Sequence, residues 1–253
     1  MSSTVKVVPL RVEMLARTET VGSRIANLYV EKGGRVNQRD YRSLAVAEVA
    51  GRGCYESYAR TSEKTDSFEG YFGNILSQKH YSVLEHVSVS FYIEGISRAA
   101  SHEIVRHRHF SFSQQSQRFC IVKKPYEVVI HPTLEEECGN TNYVGEDFAS
   151  QFEKAHAYYE VLRKVGYSRK EAAEAARMYL PNAAATHMVI TGNLRSWIEF
   201  ISKRDHPAAD KEIQIVAKKI YETLVEAYPE VFGEEARKNW DEDFAQRAVK
   251  FED

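Results

Sequence analysis

Between positions 98 and 118 the chain gathers four arginines, three histidines and four serines around one glutamate, Glu103. These residue types can do definite chemistry. Arginine guanidinium groups present paired N–H donors that fork onto carboxylates and phosphates. Histidines change charge near neutral pH, and serine hydroxyls both donate and accept. Cations crowded this closely repel one another, so such a cluster is tolerated in water or where an anionic ligand neutralises it. On charge alone the stretch reads equally as a solvated basic helix face and as an anion site. Metal binding by His102, His107 and His109 is the poorer fit. His102 and His107 are five positions apart, which does not put them on one helical face, and no His-Glu-x-x-His pattern occurs.

Arg98, His102 and Arg106 recur every four residues, which predicts a helix with one basic face. After Arg108 short polar residues alternate with aromatics, as expected of a loop or extended segment. Upstream, Val87, Val89, Phe91 and Ile93 alternate with polar residues and predict a strand, which Gly95 is expected to turn into the motif helix. Further strands are expected at 5–8 and 126–130, and helices at 21–31, 40–51, 67–78 and 148–165. Ser168-x-x-Glu171 is a capping box opening a helix expected to run through Leu180. Asn193 can cap another, with Leu194, Trp197, Ile198 and Ile201 as its apolar stripe, and Pro207 is expected to start a fourth that Pro229 ends. Residues 133–145 read as an exposed acidic loop, and the charged tail from Gly233 as loosely held. Strands first and helices later imply an α+β class: a single domain over 1–253, mostly antiparallel sheet packed with several long helices.

The 253 residues carry a net charge of −2, which argues against a protein that coats nucleic acid. No apolar run approaches a membrane span, and the first residues lack signal-peptide character. Three cysteines, Cys54, Cys120 and Cys138, form no Cys-x-x-Cys pair, which argues against a disulfide framework or a structural zinc site and points to a reducing cytoplasm. Gly51-Arg52-Gly53 lacks the third glycine and the preceding strand of a dinucleotide fingerprint.

Arg106-His107-Arg108, followed after seven residues by Ser116 and then Arg118, resembles the signature of the flavin-dependent thymidylate synthases. Other blocks match that family in the same order. His80-x-Ser82-x-x-Glu85-His86 looks like its flavin-contacting segment, Arg177-x-x-Leu180-Pro181 like its arginine before Leu-Pro, and Asn193-x-Arg195 with Arg204 downstream like its catalytic block. The likeness covers about residues 50–225.

The resemblance implies a dUMP site lined by Glu103, Ile104, Val105, Arg106, Gln114, Gln115, Ser116, Gln117, Arg118, Arg177 and Arg204. It implies an FAD site at His80, Ser82, Arg106, His107, Arg108, Gln114, Asn193, Leu194, Arg195 and Glu199, with no metal. The expected reaction methylates dUMP to dTMP, with methylenetetrahydrofolate as one-carbon donor and NADPH reducing the flavin. Partners follow as those co-substrates and copies of the chain in a homotetramer, with no nucleic acid and no membrane. Glu103, Gln114, Phe119 and Glu199 stand where relatives often carry Gln, Glu, Tyr, and Asn or His respectively. The residues agree with the implied chemistry. Arginine forks and small hydroxyls suit a dianionic phosphate, and a cation such as Arg204 near the uracil carbonyls would make C5 more nucleophilic. Cys120 has no base partner within the motif, and the family uses no cysteine nucleophile.

Overall fold

The computed structural model describes residues 4–34, 43–62, 64–138 and 141–245. Strands β1 (Val5–Val7) and β2 (Arg11–Arg17) precede helices α1 (Gly22–Glu31), α2 (Ala45–Cys54) and α3 (Phe68–Ser77). A 3₁₀ turn, Tyr81–His86, leads into β3 (Ser88–Ser97), α4 (Arg98–Ile104) and β4 (Ser111–Gln114). Next come β5 (Tyr126–Val128), α5 (Pro132–Cys138), α6 (Thr141–Lys164), α7 (Arg169–Ala176) and a second 3₁₀ turn, Arg177–Tyr179. β6 (Ala185–Asn193), α8 (Leu194–Arg204), α9 (Lys211–Ala227), α10 (Pro229–Phe232) and α11 (Glu234–Ala245) follow. A four-stranded antiparallel sheet has the order β2-β3-β6-β4, and β1 pairs with β5 in parallel, Val5 opposite Tyr126. The class is α+β.

The chain divides into two units. Met1–Glu13, Tyr92–Ile190 and Asp210–Val216 make the first; Met14–Phe91, Thr191–Ala209 and Ala217–Asp253 make the second. The first unit's core collects Tyr126, Val128, Ile130, Phe152 and Ala184, with the Tyr126 and Phe152 rings stacked at 4.7 Å. In the second, Leu194, Trp197, Ile198, Phe200 and Ile201 bury the predicted stripe of α8, and Phe91 meets Trp197 edge-on at 5.0 Å. The capping box forms as expected: Ser168 Oγ accepts from Glu171 N, and Glu171 Oε2 accepts from Ser168 N.

Several expectations are corrected. Gly95 does not end the strand; β3 continues to Ser97. Gly95 adopts φ +70°, and a Cβ there would lie 2.0 Å from the Pro9 carbonyl oxygen, so its role is a close backbone approach. α4 stops at Ile104, leaving Arg106 beyond the helix rather than on its basic face. The stretch expected as an acidic loop contains α5 and the start of α6, with residues 139–140 outside the described set. Its signal was Pro132 at a helix start with acidic residues following in the first turn. The helix expected over 40–51 begins at Ala45 and passes both glycines to Cys54; positions 40–42 lie outside the described residues. α7 ends at Ala176, short of Leu180.

α9 starts at Lys211, not Pro207, because Asp210 Oδ1 caps it by accepting from Glu212 N at 2.8 Å. Pro229 opens α10 instead of only closing α9. The tail is not loose as far as it is described: α11 buries Trp240 completely, and its indole N–H donates to Val231 O at 2.9 Å. β2 and β6 were not anticipated, although Thr186, Met188 and Ile190 of β6 carry the period-two burial of a strand. Among the described residues no helix is long and apolar enough to cross a membrane.

Candidate active site

The expected nucleotide residues, Arg204 excepted, fall in the first unit. Their framework is the N-terminus of α4. Ser97 caps it, its Oγ accepting from Ala100 N at 3.0 Å. The next two amides are held on the chain before β6, Arg98 N donating to Ala184 O and Ala99 N to Asn182 O. Arg98 is not among the expected site residues, yet its Nη1 is buried and makes no hydrogen bond among the described residues. Burial, and then the nearby charge of Arg177, lower the pKa of its guanidinium. Glu171 is occupied in the capping box, and Glu174 meets Arg118 at 3.4 Å and Lys170 at 3.8 Å. Among the described residues neither glutamate pairs with Arg177. Two arginines thus stand near one another, one with a buried donor unsatisfied, an arrangement an anion would complete. The sequence signal for Arg98 is present in the basic stretch, but it lies eight positions before the signature, outside the spacing that marks the family.

The segment after β4 is tied to β6. Gln114 Nε2 donates to Thr186 Oγ1 at 3.4 Å, and Gln115 N to His187 O at 3.1 Å. Ser116 O accepts from Phe119 N and Cys120 N, and the Arg118 guanidinium lies over the Phe119 ring at 5.6 Å. Of the remaining expected residues, Glu103 and His107 are half-buried, while Val105, Arg106 and Arg108 are exposed. Ile104 is 1% exposed and belongs to the core, so its side chain does not line an open site.

A polar cavity of about 520 Å³ is lined by Arg11, Glu94, Gln115, Gln117, Thr186 and His187, among others. Hydrogen bonds from Tyr92 and then Arg11 hold the Glu94 carboxyl below its usual range. Cys120 is an exposed free thiol at the edge of this cavity, without a hydrogen bond or ion pair among the described residues. A nucleophilic cysteine needs a base or cation to activate it. Cys120→Ala is therefore expected to keep the turnover that the resemblance implies, measured as dTMP formation by flavin-loaded protein; abolished turnover in a folded variant would reverse that assignment.

The second unit holds the remaining expected flavin residues and Arg204. Two blocks that are far apart in sequence meet here. Arg195 forms an ion pair with Glu85, and Leu194 N donates to Val87 O at 2.9 Å. The His80 ring stacks on Tyr55 with centroids 6.1 Å apart, and Ser82 is exposed nearby in sequence. Asn193 caps α8, its Oδ1 accepting from Ser196 N and Ser196 Oγ, both at 2.9 Å. Leu194 is fully buried with its N–H occupied, so it fixes its neighbours Asn193 and Arg195 rather than offering a contact. Glu199 pairs with Lys203 one turn on. Trp197 is a core residue whose indole N–H donates to Gly192 O.

Arg204 is the last residue of α8 and is half-buried. The next residue, Asp205, accepts from Arg237 of α11 at 2.8 Å, and Arg237 also binds Asp241 and lies over the Tyr221 ring at 4.4 Å. The end of α8 is thereby anchored from a second helix.

The thymidylate synthase complementing protein family matches residues 36–230. Curated flavin-dependent thymidylate synthases from Mycobacterium tuberculosis are 38% identical over 236 residues, covering 89% of this chain and 90% of theirs. The chain belongs to the flavin-dependent thymidylate synthase family. A Mycolicibacterium vanbaalenii family member is 38% identical over 239 residues, covering 90% of this chain and 91% of its own. The fold is likewise that of solved structures. Thymidylate synthase X from Helicobacter pylori, determined with FAD and dUMP, gives a TM-score of 0.62 at 21% identity, covering 90% of this chain and 99% of its own. A UMP/dUMP methylase from Streptomyces cacaoi bound to 5-Br dUMP gives 0.65 at 20%, covering 93% and 96%.

Proposed function

We propose that this family member methylates dUMP to dTMP with FAD as cofactor, methylenetetrahydrofolate as carbon donor and NADPH as reductant. The observation that supports the nucleotide reading most directly is the pairing of Arg98 and Arg177, with a buried guanidinium nitrogen unsatisfied. A phosphate monoester supplies the charge and acceptors that this arrangement lacks. Arg118 and Ser116 add donors from the segment after β4.

The donor set also fits FAD. In the first unit Arg106 and Arg108 are exposed cations, and in the second Ser82 and Arg195 present a hydroxyl and a guanidinium, groups of the kind that suit a pyrophosphate without a glycine-rich loop. Bound FAD would supply the hydride chemistry that no side chain can perform. The protein's part is to bind the phosphate with Arg98, Arg118 and Arg177 and to orient the uracil. Arg204 would place a fixed cation by the ring carbonyls, where it stabilises developing negative charge. Assembly as a homotetramer and residence in the cytoplasm belong to the same proposal.

The test is release of tritium from 5-tritiated dUMP by yellow, flavin-loaded protein. Release is expected only with methylenetetrahydrofolate and NADPH present; no release from folded, flavin-loaded protein with all components present would sink the reading.

A second expectation concerns affinity. Arg118→Ala and Arg177→Ala should each weaken dUMP by about 1.5–3 kcal/mol, roughly ten- to a hundredfold, while FAD content stays constant. Calorimetric titration with dUMP measures this, and unchanged affinity would return both arginines to the solvent-facing surface.

A further inference from the structure

A buried carboxylate behind the motif helix has no part in the chemistry described so far. Glu212, in the first turn of α9, is only 8% exposed. Among the described residues it makes no ion pair. Both its oxygens are spent on one residue: Oε1 accepts from Ser97 N at 2.7 Å and Oε2 from Ser97 Oγ at 2.6 Å. An unpaired carboxylate is costly to bury, and two short charge-assisted bonds are what offset that cost here.

Ser97 is the N-cap of α4 and the residue before Arg98. With Ser97 N held by Glu212 and Arg98 N held by Ala184 O at 3.0 Å, the two amides flanking the Ser97 Cα are both fixed. The backbone that launches the Arg98 side chain is then determined before any ligand arrives. Glu212 is itself set in place by Asp210, whose Oδ1 accepts from Glu212 N at 2.8 Å. The order of support runs from Asp210 to Glu212, then Ser97, then Arg98.

We infer that Glu212 is a positioning residue for phosphate recognition: through Ser97 it presets the guanidinium of Arg98 for the phosphate of the nucleotide. This rests on the dUMP reading above. It also explains why the acceptor is a carboxylate. Ser97 donates both its N–H and its hydroxyl proton to Glu212 and uses its oxygen to cap Ala100. An amide at position 212 has a single acceptor oxygen, so Glu212→Gln cannot receive both protons in the same pose.

The experiment uses flavin-loaded protein and two ligands, dUMP and its dephosphorylated form, deoxyuridine. Wild-type protein should bind dUMP more tightly. Glu212→Gln should raise the dUMP dissociation constant and KM about tenfold, as for loss of one preset charge-assisted contact, while deoxyuridine affinity and kcat at saturating dUMP hold. Ser97→Ala should do the same, and the double variant should be no worse than either single one, because both act along one path. A general loosening would lower both affinities together and would overturn the inference. An unchanged preference for dUMP in Glu212→Gln would overturn it while leaving the dUMP reading intact. Wild-type protein that binds neither ligand would overturn both.

Discussion

Replacing Arg204 by lysine leaves the protein folded and flavin-loaded but lowers dTMP formation at saturating dUMP by about two orders of magnitude or more, as for removal of a partner to transition-state charge. The effect depends on where α8 ends. Leu194, Trp197, Ile198 and Ile201 bury one face of the helix, and Arg204 stands three residues past Ile201 at its last position. A cation at a helix C-terminus is favoured by the dipole whichever cation it is, so lysine preserves that contribution. What lysine cannot reproduce is the planar fork that addresses two acceptors of a flat ring at once. The Asp205–Arg237 pair keeps the helix end fixed in the variant, which confines the change to the side-chain head. Steady-state turnover with flavin absorbance on the same samples measures the effect. Near wild-type turnover would reduce Arg204 to a helix-end charge and move ring activation elsewhere.

The largest stability effect is expected at a pair remote from the signature. Arg52 and Glu48 are joined at 2.8 Å within α2, with both side chains 2% exposed. Arg52 also donates to Thr65 O at 2.7 Å and lies over the Tyr71 ring at 4.6 Å. The same enclosure raises the pKa of the Tyr71 phenol, burial being the main cause. Arg52→Met takes the guanidinium away from the buried Glu48 carboxylate and frees the Thr65 carbonyl. The expected loss is about 3–5 kcal/mol of unfolding free energy, the range for breaking a buried pair from one side. Denaturant unfolding at unchanged slope measures it. A loss below about 1 kcal/mol would mean that water or another donor replaces the guanidinium, since even one unsatisfied buried group costs that much. α2 packs on the 3₁₀ turn that carries Ser82, so flavin retention should fall in the same variant.

Reading by periodicity worked where one face of an element is buried. The stripe of α8 and the alternation of β3 are legible for that reason, and the capping box of α7 from its local Ser-x-x-Glu spacing. It failed where local chemistry is ambiguous. Proline reads as a stop at Pro229, where it opens α10. The acidic run after Pro132 reads as loop from its charge, but Pro132 at the helix start makes it α5. Gly95 reads as a turn because sequence alone cannot show the Pro9 carbonyl pressed against it. The site was legible through spacing that only a family signature defines. Arg98 and Glu212 were not, because what marks them is burial and hydrogen bonding to residues distant in sequence.

The way the two units draw on the chain has a consequence for how the protein is made. The first unit takes Asp210–Val216 as well as the stretch up to Ile190, and the second takes Ala217–Asp253 as well as residues from Met14 onward. During synthesis the chain leaves the ribosome from its N-terminal end, at roughly 5–20 residues per second. The carboxylate that steadies Ser97 and the tryptophan that α11 buries emerge only after every element they complete. Neither unit can therefore close while it is being translated. For several seconds the apolar faces of β3 and α3 wait for partners not yet made, an interval in which exposed apolar surface favours aggregation.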